Sequence, residues 1–477
     1  MKIRFGLVLA LAVGLGLGGC ASSGGGSSSS GGGLDAILAA GGGDAGESPR
    51  DTDNTRAAED ALEAAEDAGD PAQAETFYRQ ALSSAQAGIT EDPTNPLAYR
   101  LAGEAALWLE DYQAAGEYFD EAIELRPLYE FDLVSVREQA WIDLYQEATP
   151  YIQSGDYVTA AEYFEDADAI YKGRPEATIT LAQIYAQQRE HELALEKIDA
   201  AMAFADSEAM AAVDSATAAG WQEQLAELPM LRAQVLADAG RYEEAVGTYR
   251  DMVAANPDDI ELKRGLAAIL MEMGNEEEAF AIYDEMLAMG GLEPQTLFSI
   301  GVGFYQGSDY GRAAEAFGQA AEASVNDRDA IEMWARSLQL DSAYTEVPPV
   351  AERWIELDPN GRNAYLILAQ AANQAGDQAT TQEAVQAVEA LEVAVNDLTL
   401  SRFPNGGASV SGSVVNATLD EGSPVTLTFT FYDSAGTPLG TVSETVSVGA
   451  ADMAEVFQIQ FDSTEHVDGY GYELSVG

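Results

Sequence analysis

Between about Thr55 and Val395, apolar positions recur at helical spacing in runs rich in Ala, Leu, Tyr and Gln, broken at intervals by Asn-Pro, Asp-Pro or Gly. This pattern predicts a series of amphipathic helices, each with one apolar stripe. From about Asn396 the period changes to two. Val425, Leu427, Phe429 and Phe431 alternate with Thr426, Thr428 and Thr430, which predicts a strand with one buried face. Asp433-Ser434-Ala435-Gly436 reads as the turn after it, and further alternation follows in Phe457, Ile459 and Phe461 and in Tyr470, Tyr472 and Leu474. Residues 396–477 therefore predict a small antiparallel β-sandwich whose apolar faces suffice for folding alone.

The helical part repeats. Ala233, Ala267, Gly301, Ala335 and Ala369 follow one another at a single constant step, and the same step links Ala245, Ala279 and Ala313 and the aromatic series Tyr249, Tyr283 and Phe317. Ala148 with Ala182, and Ala160 with Ala194, repeat it earlier; Gly103, Ala115, Phe119, Ala122 and Pro127 mark a further unit. Such a period describes two antiparallel helices and their next neighbour sharing one core. Small residues let the backbones approach and a ring fills the space between units. Gly240 and Gly274 mark turns inside units, and Pro127, Pro257 and Pro359 fall at unit ends. Two expectations qualify the pattern. The last two units carry Ala351 and Val385 where the ring should stand, and insertions of eleven and seventeen residues, the second including Ala211 to Gly220, lengthen helices or loops.

At these positions the chain resembles the tetratricopeptide-repeat family, whose unit is a helix pair of about 34 residues with small, aromatic, alanine and proline marks. The resemblance implies an all-α superhelical solenoid of about eight helix pairs over residues 55–395, with a concave face that holds a protein or peptide. Phe429-Thr430-Phe431-Tyr432-Asp433, with Asn416 upstream, is similar to the small immunoglobulin-like domains named for a Phe-x-Leu-Tyr-Asp motif, with Phe431 in place of the leucine.

Residues 1–19 read as a signal peptide, running from Lys2 and Arg4 through an apolar stretch to Gly18-Gly19. Leu17-Gly18-Gly19-Cys20 resembles the bacterial lipobox, which implies a diacylglyceryl group on Cys20, the chain's single cysteine. Residues 20–54 then read as a Ser/Gly-rich tether. With Ala21 after the cysteine, the resemblance implies a lipoprotein sorted to the outer membrane and facing the periplasm. Outside the lipid, the expected contact with the membrane is nil, because 81 acidic residues against 23 basic ones give a net charge of −58 that repels anionic headgroups and nucleic acid alike.

Catalytic chemistry is sparse. The sequence has no phosphate-binding Gly-x-x-x-x-Gly-Lys loop and no Gly-x-Ser-x-Gly elbow, and its two histidines, His191 and His466, fall in different predicted domains. No metal or cofactor is expected beyond the lipid. Asp51-Thr52-Asp53-Asn54 lacks the glycine and glutamate of a calcium loop and reads as a linker end before a helix cap. The five tryptophans, Trp108, Trp141, Trp221, Trp334 and Trp354, read mostly as core candidates.

The repeat register yields a candidate surface. With Ile300, Gly301 and Phe304 turned inward, Phe298, Val302 and Tyr305 fall together on the face that lines the groove in this family. Matching positions in the preceding unit are Arg264, Ala268 and Met271, and in the following ones Arg336 and Gln339, then Gln370 and Asn373. An apolar stripe flanked by two arginines suits a peptide with apolar anchors and a carboxylate; the alternative is packing on a neighbouring helix or on the β domain. The family's lysine and asparagine carboxylate clamp has no counterpart here. The reading is thus a membrane-anchored interaction scaffold of the cell envelope, serving assembly or export. Its rivals are a surface-displayed binding lipoprotein and a glycan-active hydrolase using groove carboxylates.

Lipidation gives the first test. Cys20→Ser is expected to block processing by the lipoprotein peptidase and to shift the protein out of the membrane fraction; normal membrane retention of the variant defeats the lipobox reading.

Overall fold

A computed structural model describes residues 46–477, so the signal peptide, Cys20 and most of the tether lie outside the described residues. The chain divides into two compact units, the first ending at Leu181 and the second running from Ala182 to Gly477.

In the first unit, α1 (Asp53–Glu66), α2 (Pro71–Glu91), α3 (Pro96–Trp108), α4 (Tyr112–Leu125), α5 (Tyr129–Ser154) and α6 (Tyr157–Ile170) follow one another, with α7 (Glu176–Gln188) running across its end. Their starts are encoded locally. Thr52 and Thr55 form a reciprocal capping pair at α1, Asn95, Asp111 and Asp156 accept from the first-turn amides of α3, α4 and α6, and Pro71 and Pro96 occupy first-turn positions where no amide hydrogen is needed. The eleven-residue insertion becomes extra helix: α5 is 26 residues long. The helical body begins at Asp53, and residues 46–52, placed in the tether by sequence, are fixed to it. Glu47 donates its amide to the Leu125 carbonyl, and Arg50 and Asn95 exchange two hydrogen bonds of 3.0 and 2.8 Å. Trp108 is no core residue. It is 60% exposed and lies stacked on Tyr78 at 5.5 Å.

In the second unit come α8 (His191–Phe204), α9 (Glu208–Ala212), α10 (Ser215–Leu225), α11 (Leu228–Asp238), α12 (Tyr242–Ala255), α13 (Ile260–Glu272), α14 (Glu276–Met289), α15 (Pro294–Gln306), α16 (Tyr310–Ala323), α17 (Arg328–Leu340), α18 (Val347–Leu357), α19 (Arg362–Ala375) and α20 (Gln378–Ala390). The seventeen-residue insertion folds as α9 and α10, where Trp221 is buried edge-on against Phe204. Two features recur along these helices. Gly240, Gly274, Ser308, Ser342 and Gly376, each one repeat step after the last, all have positive φ, from 63° to 84°, and turn the chain between the helices of a pair. The second is a close approach of ring and glycine: a Cβ at Gly265 would lie 2.5 Å from the Tyr249 ring, at Gly303 2.4 Å from Tyr283, and at Gly301 2.7 Å from Phe317. The first unit has its own version in Gly103 and Phe119. Where Ala351 stands for the ring, Trp354 three residues on is fully buried and fills the space; Val385 is exposed, and α20 closes the helical part with a polar outer face.

The β region is two three-stranded antiparallel sheets. One has the order β1 (Val393–Arg402), β2 (Ala408–Asn416), β5 (Ala454–Phe461); the other has β4 (Pro438–Ser447), β3 (Pro424–Tyr432), β6 (Gly469–Val476). Val425, Leu427, Phe429 and Phe431 are buried, as their alternation requires, in a core with Val410, Val414 and Ile459 from the other sheet. Asn416 is buried and satisfied, donating to the Leu419 and Gly449 carbonyls and accepting from the Leu419 amide. β1 begins at Val393, so a boundary at 395/396 would cut away three buried residues of that strand.

This sandwich sits on the loops after α16 and α18. Tyr470 donates its amide to the Asn326 carbonyl, Val325 to Ser434 and Val395 to Asn360, at 3.1, 3.3 and 3.0 Å. Gly469 is obligatory in this seat, since a Cβ there would lie 2.2 Å from the Asn326 carbonyl oxygen. Arg402 reaches across to the Val467 and Asp468 carbonyls and to Asp327, which caps α17 by accepting from the Asp329 and Ala330 amides. Burial pushes the Asp327 carboxyl up to about 6, helped by the charge of Asp329 and opposed by the α17 amides and Arg402.

The two repeating features separate by mutation. Gly274 has nothing within 4 Å of the place a methyl group would occupy, so Gly274→Ala meets only backbone strain and is expected to cost about 1 kcal/mol. Gly301→Leu meets the Phe317 ring and is expected to cost about 1–3 kcal/mol or more. Thermal denaturation checks both, and an unchanged Tm for Gly301→Leu contradicts the packing described.

Asp327 gives a pH test. Because its folded pKa lies above the unfolded value, its contribution to stability is full below about 4 and is lost as pH rises through about 6. Asparagine keeps the cap without the charge. Asp327→Asn is therefore expected to match the parent protein at pH 4 and exceed it at pH 8 by on the order of 1–3 kcal/mol. Denaturation at the two pH values checks this, and a variant that loses stability at pH 8 refutes it.

Candidate functional site

The first helices of four successive units, α13, α15, α17 and α19, carry the predicted stripe at positions one repeat step apart. Four rows of three result: Arg264, Ala268 and Met271 on α13; Phe298, Val302 and Tyr305 on α15; Glu332, Arg336 and Gln339 on α17; Leu366, Gln370 and Asn373 on α19. Two arginines and one glutamate give these twelve positions a formal charge of +1 in a chain of −58.

The three apolar residues of α15 are half-buried. Phe298 meets the buried Phe317 ring of α16 edge-on at 5.2 Å, and Tyr305 meets Tyr310 of α16 at 5.4 Å. One edge of each ring is thus committed to the neighbouring helix, as the packing alternative requires, and the remainder is open. Met271 extends toward the end of α15, its methyl carbon 3.4 Å from where a side chain on Gly307 would begin. Gln370 and Asn373 are exposed, and Gln370 accepts from the Gln339 side chain at 2.8 Å, tying α17 to α19.

Neither flanking arginine is free of an acidic partner. Arg264 holds Glu261, 3.0 Å from its Nε, and Arg336 holds Glu332 through Nε and Nη2 at 2.8 and 2.7 Å. The cause is helical spacing: each glutamate stands one turn before its arginine. Behind Arg264, burial pushes the Tyr283 phenol up to about 12, with the Arg264 charge pulling the other way. The phenol stays neutral in ordinary conditions.

Sequence reasoning overlooked several participants. Arg312 stacks over the Phe280 and Phe304 rings at 4.7 and 4.8 Å while pairing with Asp309 and Asp284, and so pins α16 to its neighbours. Arg328 is buried between α17 and the β domain. Its partners are Asp329, Glu332 and Asp358, and its guanidinium shares the Trp354 indole with that of Arg336, at 5.5 and 5.8 Å. The spacing Arg328, Glu332, Arg336 was a usable signal, since residues four apart share a helix face.

Other chemistry is thin among the described residues. His191 opens α8 and His466 is exposed, and no group of three or more His, Cys, Asp or Glu side chains is placed to hold a metal. A cavity of about 330 Å³ in the first unit is lined by Glu110, Glu147, Glu162 and Asp166 with Tyr112 and Tyr163. Burial, then the charges of Glu165, Asp111 and Glu162, push Asp166 up to about 6. No helix of the described residues is long and apolar enough to cross a membrane.

Comparison with known proteins follows the helices. Two tetratricopeptide-repeat models match, one over residues 60–130 and the other over residues 151–218 and 236–294. No curated protein matches the chain. Among solved structures, YrrB, described as a tetratricopeptide-repeat protein with an unusual peptide-binding site, is 14% identical over 35% of this chain and 85% of its own, with a TM-score of 0.30. The C-terminal part of a repeat-containing protein from Cytophaga hutchinsonii is 18% identical over 52% of this chain and 95% of its own, with a TM-score of 0.40. MamA is 17% identical over 34% and 87%, with a TM-score of 0.29. The matched segments carry tetratricopeptide repeats, and within each unit the helices follow one another as in a solenoid of that class, with the β-strands after them in the second unit.

Proposed function

We propose that this chain is a lipid-anchored scaffold of the bacterial cell envelope that holds a protein or peptide along the rows on α13, α15, α17 and α19. The observation that carries this reading is the half-buried, partly open stripe of Phe298, Val302 and Tyr305, bordered by arginines, in a chain otherwise dominated by acids. Rings with one edge packed and one edge open lose little freedom on binding, which favours them as anchors. Arg264 and Arg336 serve a partner carboxylate by exchange: the incoming group takes the place of Glu261 or Glu332. The reading makes the protein a binding protein and not a catalyst. Cys20 supplies the membrane attachment, through the lipobox it resembles, and the outer membrane facing the periplasm is the proposed location. The task this suits is holding a component of an assembly or export complex near the membrane.

The test uses the partner that copurifies with the tethered protein. Phe298→Ala/Tyr305→Ala is expected to weaken its affinity about tenfold or more with the helical fold intact. Undiminished affinity in a folded variant sinks the site, and protease shaving of intact cells that removes the chain sinks the periplasmic orientation.

A further inference from the structure

A continuous line of polar side chains joins the seat of the β domain to the groove. Tyr472 of β6 donates its hydroxyl to Asp358 Oδ1 at 2.7 Å. Asp358 Oδ2 accepts from Arg328 Nη2 at 3.0 Å, and Arg328 Nη1 reaches Glu332 Oε2 at 2.6 Å. The other oxygen of Glu332 is held by Arg336, 2.7 Å from its Nη2. Side-chain exposure grows along this line, from 2% at Asp358 through 9% at Arg328 and 18% at Glu332 to 35% at Arg336. One end is locked in an interface and the other faces the groove.

The line is short of donors. Arg328 serves three carboxylates at once, Asp329, Glu332 and Asp358, so a stronger pull by one weakens its hold on the others. Glu332 in turn is shared by two arginines. Asp358 is nearly enclosed, and apart from Arg328 its side chain is held by the Tyr472 hydroxyl, which itself accepts from the Asn360 amide at 3.1 Å. A change at Arg336 therefore alters the charge Glu332 presents to Arg328, and through it the seat of β6.

We propose that Tyr472, Asp358, Arg328, Glu332 and Arg336 form a coupling device that links occupancy of the groove at Arg336 to the docking of the β domain on the loops after α16 and α18. A partner carboxylate that takes Arg336 leaves Glu332 to Arg328 alone. Arg328 is drawn toward Glu332 and away from Asp358, and the β domain loosens on its seat. By linkage, a firmly docked β domain disfavours the same carboxylate. This mechanism rests on the groove reading for its ligand, but the side-chain coupling does not need one.

Amide exchange in the full chain without partner tests the coupling. The amides of Tyr470, Val395 and Asn360 report the seat, because each bonds across it, to Asn326, Asn360 and the Tyr472 hydroxyl respectively. The Val410 amide, in the sandwich core, reports the β fold itself. Arg336→Gln changes the balance at Glu332 and is expected to alter exchange at the three seat amides by about fivefold or more, with Val410 unchanged. Arg336→Lys, which keeps the charge, is expected to give a smaller change, and Arg264→Gln, off the line, none. Seat amides that exchange in Arg336→Gln at the parent rate overturn the coupling, as does an equal change at Val410. Either failure leaves the groove reading standing, because that is judged by affinity in Phe298→Ala/Tyr305→Ala.

Discussion

The spacing between neighbouring helices depends on an aromatic ring pressed against a bare stretch of backbone. At Gly265, Gly301 and Gly303 the facing ring leaves no room for even a methyl group. Such contacts set how closely the helices approach, and the approach decides which side chains remain outside. Phe298 and Tyr305 are half-covered because α16 is close enough for Phe317 and Tyr310 to touch them. A looser solenoid would expose both rings fully, and a tighter one would bury them. The candidate anchors are in this sense a by-product of the same packing that builds the repeat.

Much of this was legible in sequence. The constant repeat step located the helix pairs, Gly301 as a contact point and the row of Phe298, Val302 and Tyr305, because periodicity fixes which residues share a face. The turn residues were half legible. Gly240 and Gly274 announce a left-handed conformation, whereas Ser308 and Ser342 adopt it with no residue type to betray it. Trp354 reads as core in the sequence and is fully buried, but that it fills the space of the missing ring from a position three residues later is something a fixed register cannot anticipate. Trp108 misled for the opposite reason: helical spacing places it on a face, but that face leaves the indole largely exposed, with one side stacked on Tyr78.

The state of the arginines was the least legible part of the site. Counting 23 basic residues among 81 acidic ones makes a lone arginine in the groove look like a ligand hook. The same ratio makes a nearby carboxylate the rule, and Glu261 and Glu332 each stand one turn away. Arg328 shows the strongest form of this constraint. Its burial at the foot of the β domain is tolerated because three carboxylates surround it, and the burial of Asp358 is tolerated because Arg328 and Tyr472 both hold it.

This pairing also narrows the chemistry of the proposed partner. A carboxylate arriving at Arg336 exchanges one ion pair for another, so the contact itself adds little net affinity and acts mainly as a selector of geometry. Approach is a separate matter. A chain of net charge −58 repels an acidic molecule at long range, more so at low salt. A partner that brings a carboxylate to this groove must therefore be neutral or basic over the rest of its surface, and its affinity must come from apolar side chains laid against Phe298, Val302 and Tyr305. The salt dependence of its association rate then carries the sign of that surface, whereas the dissociation rate follows the rings.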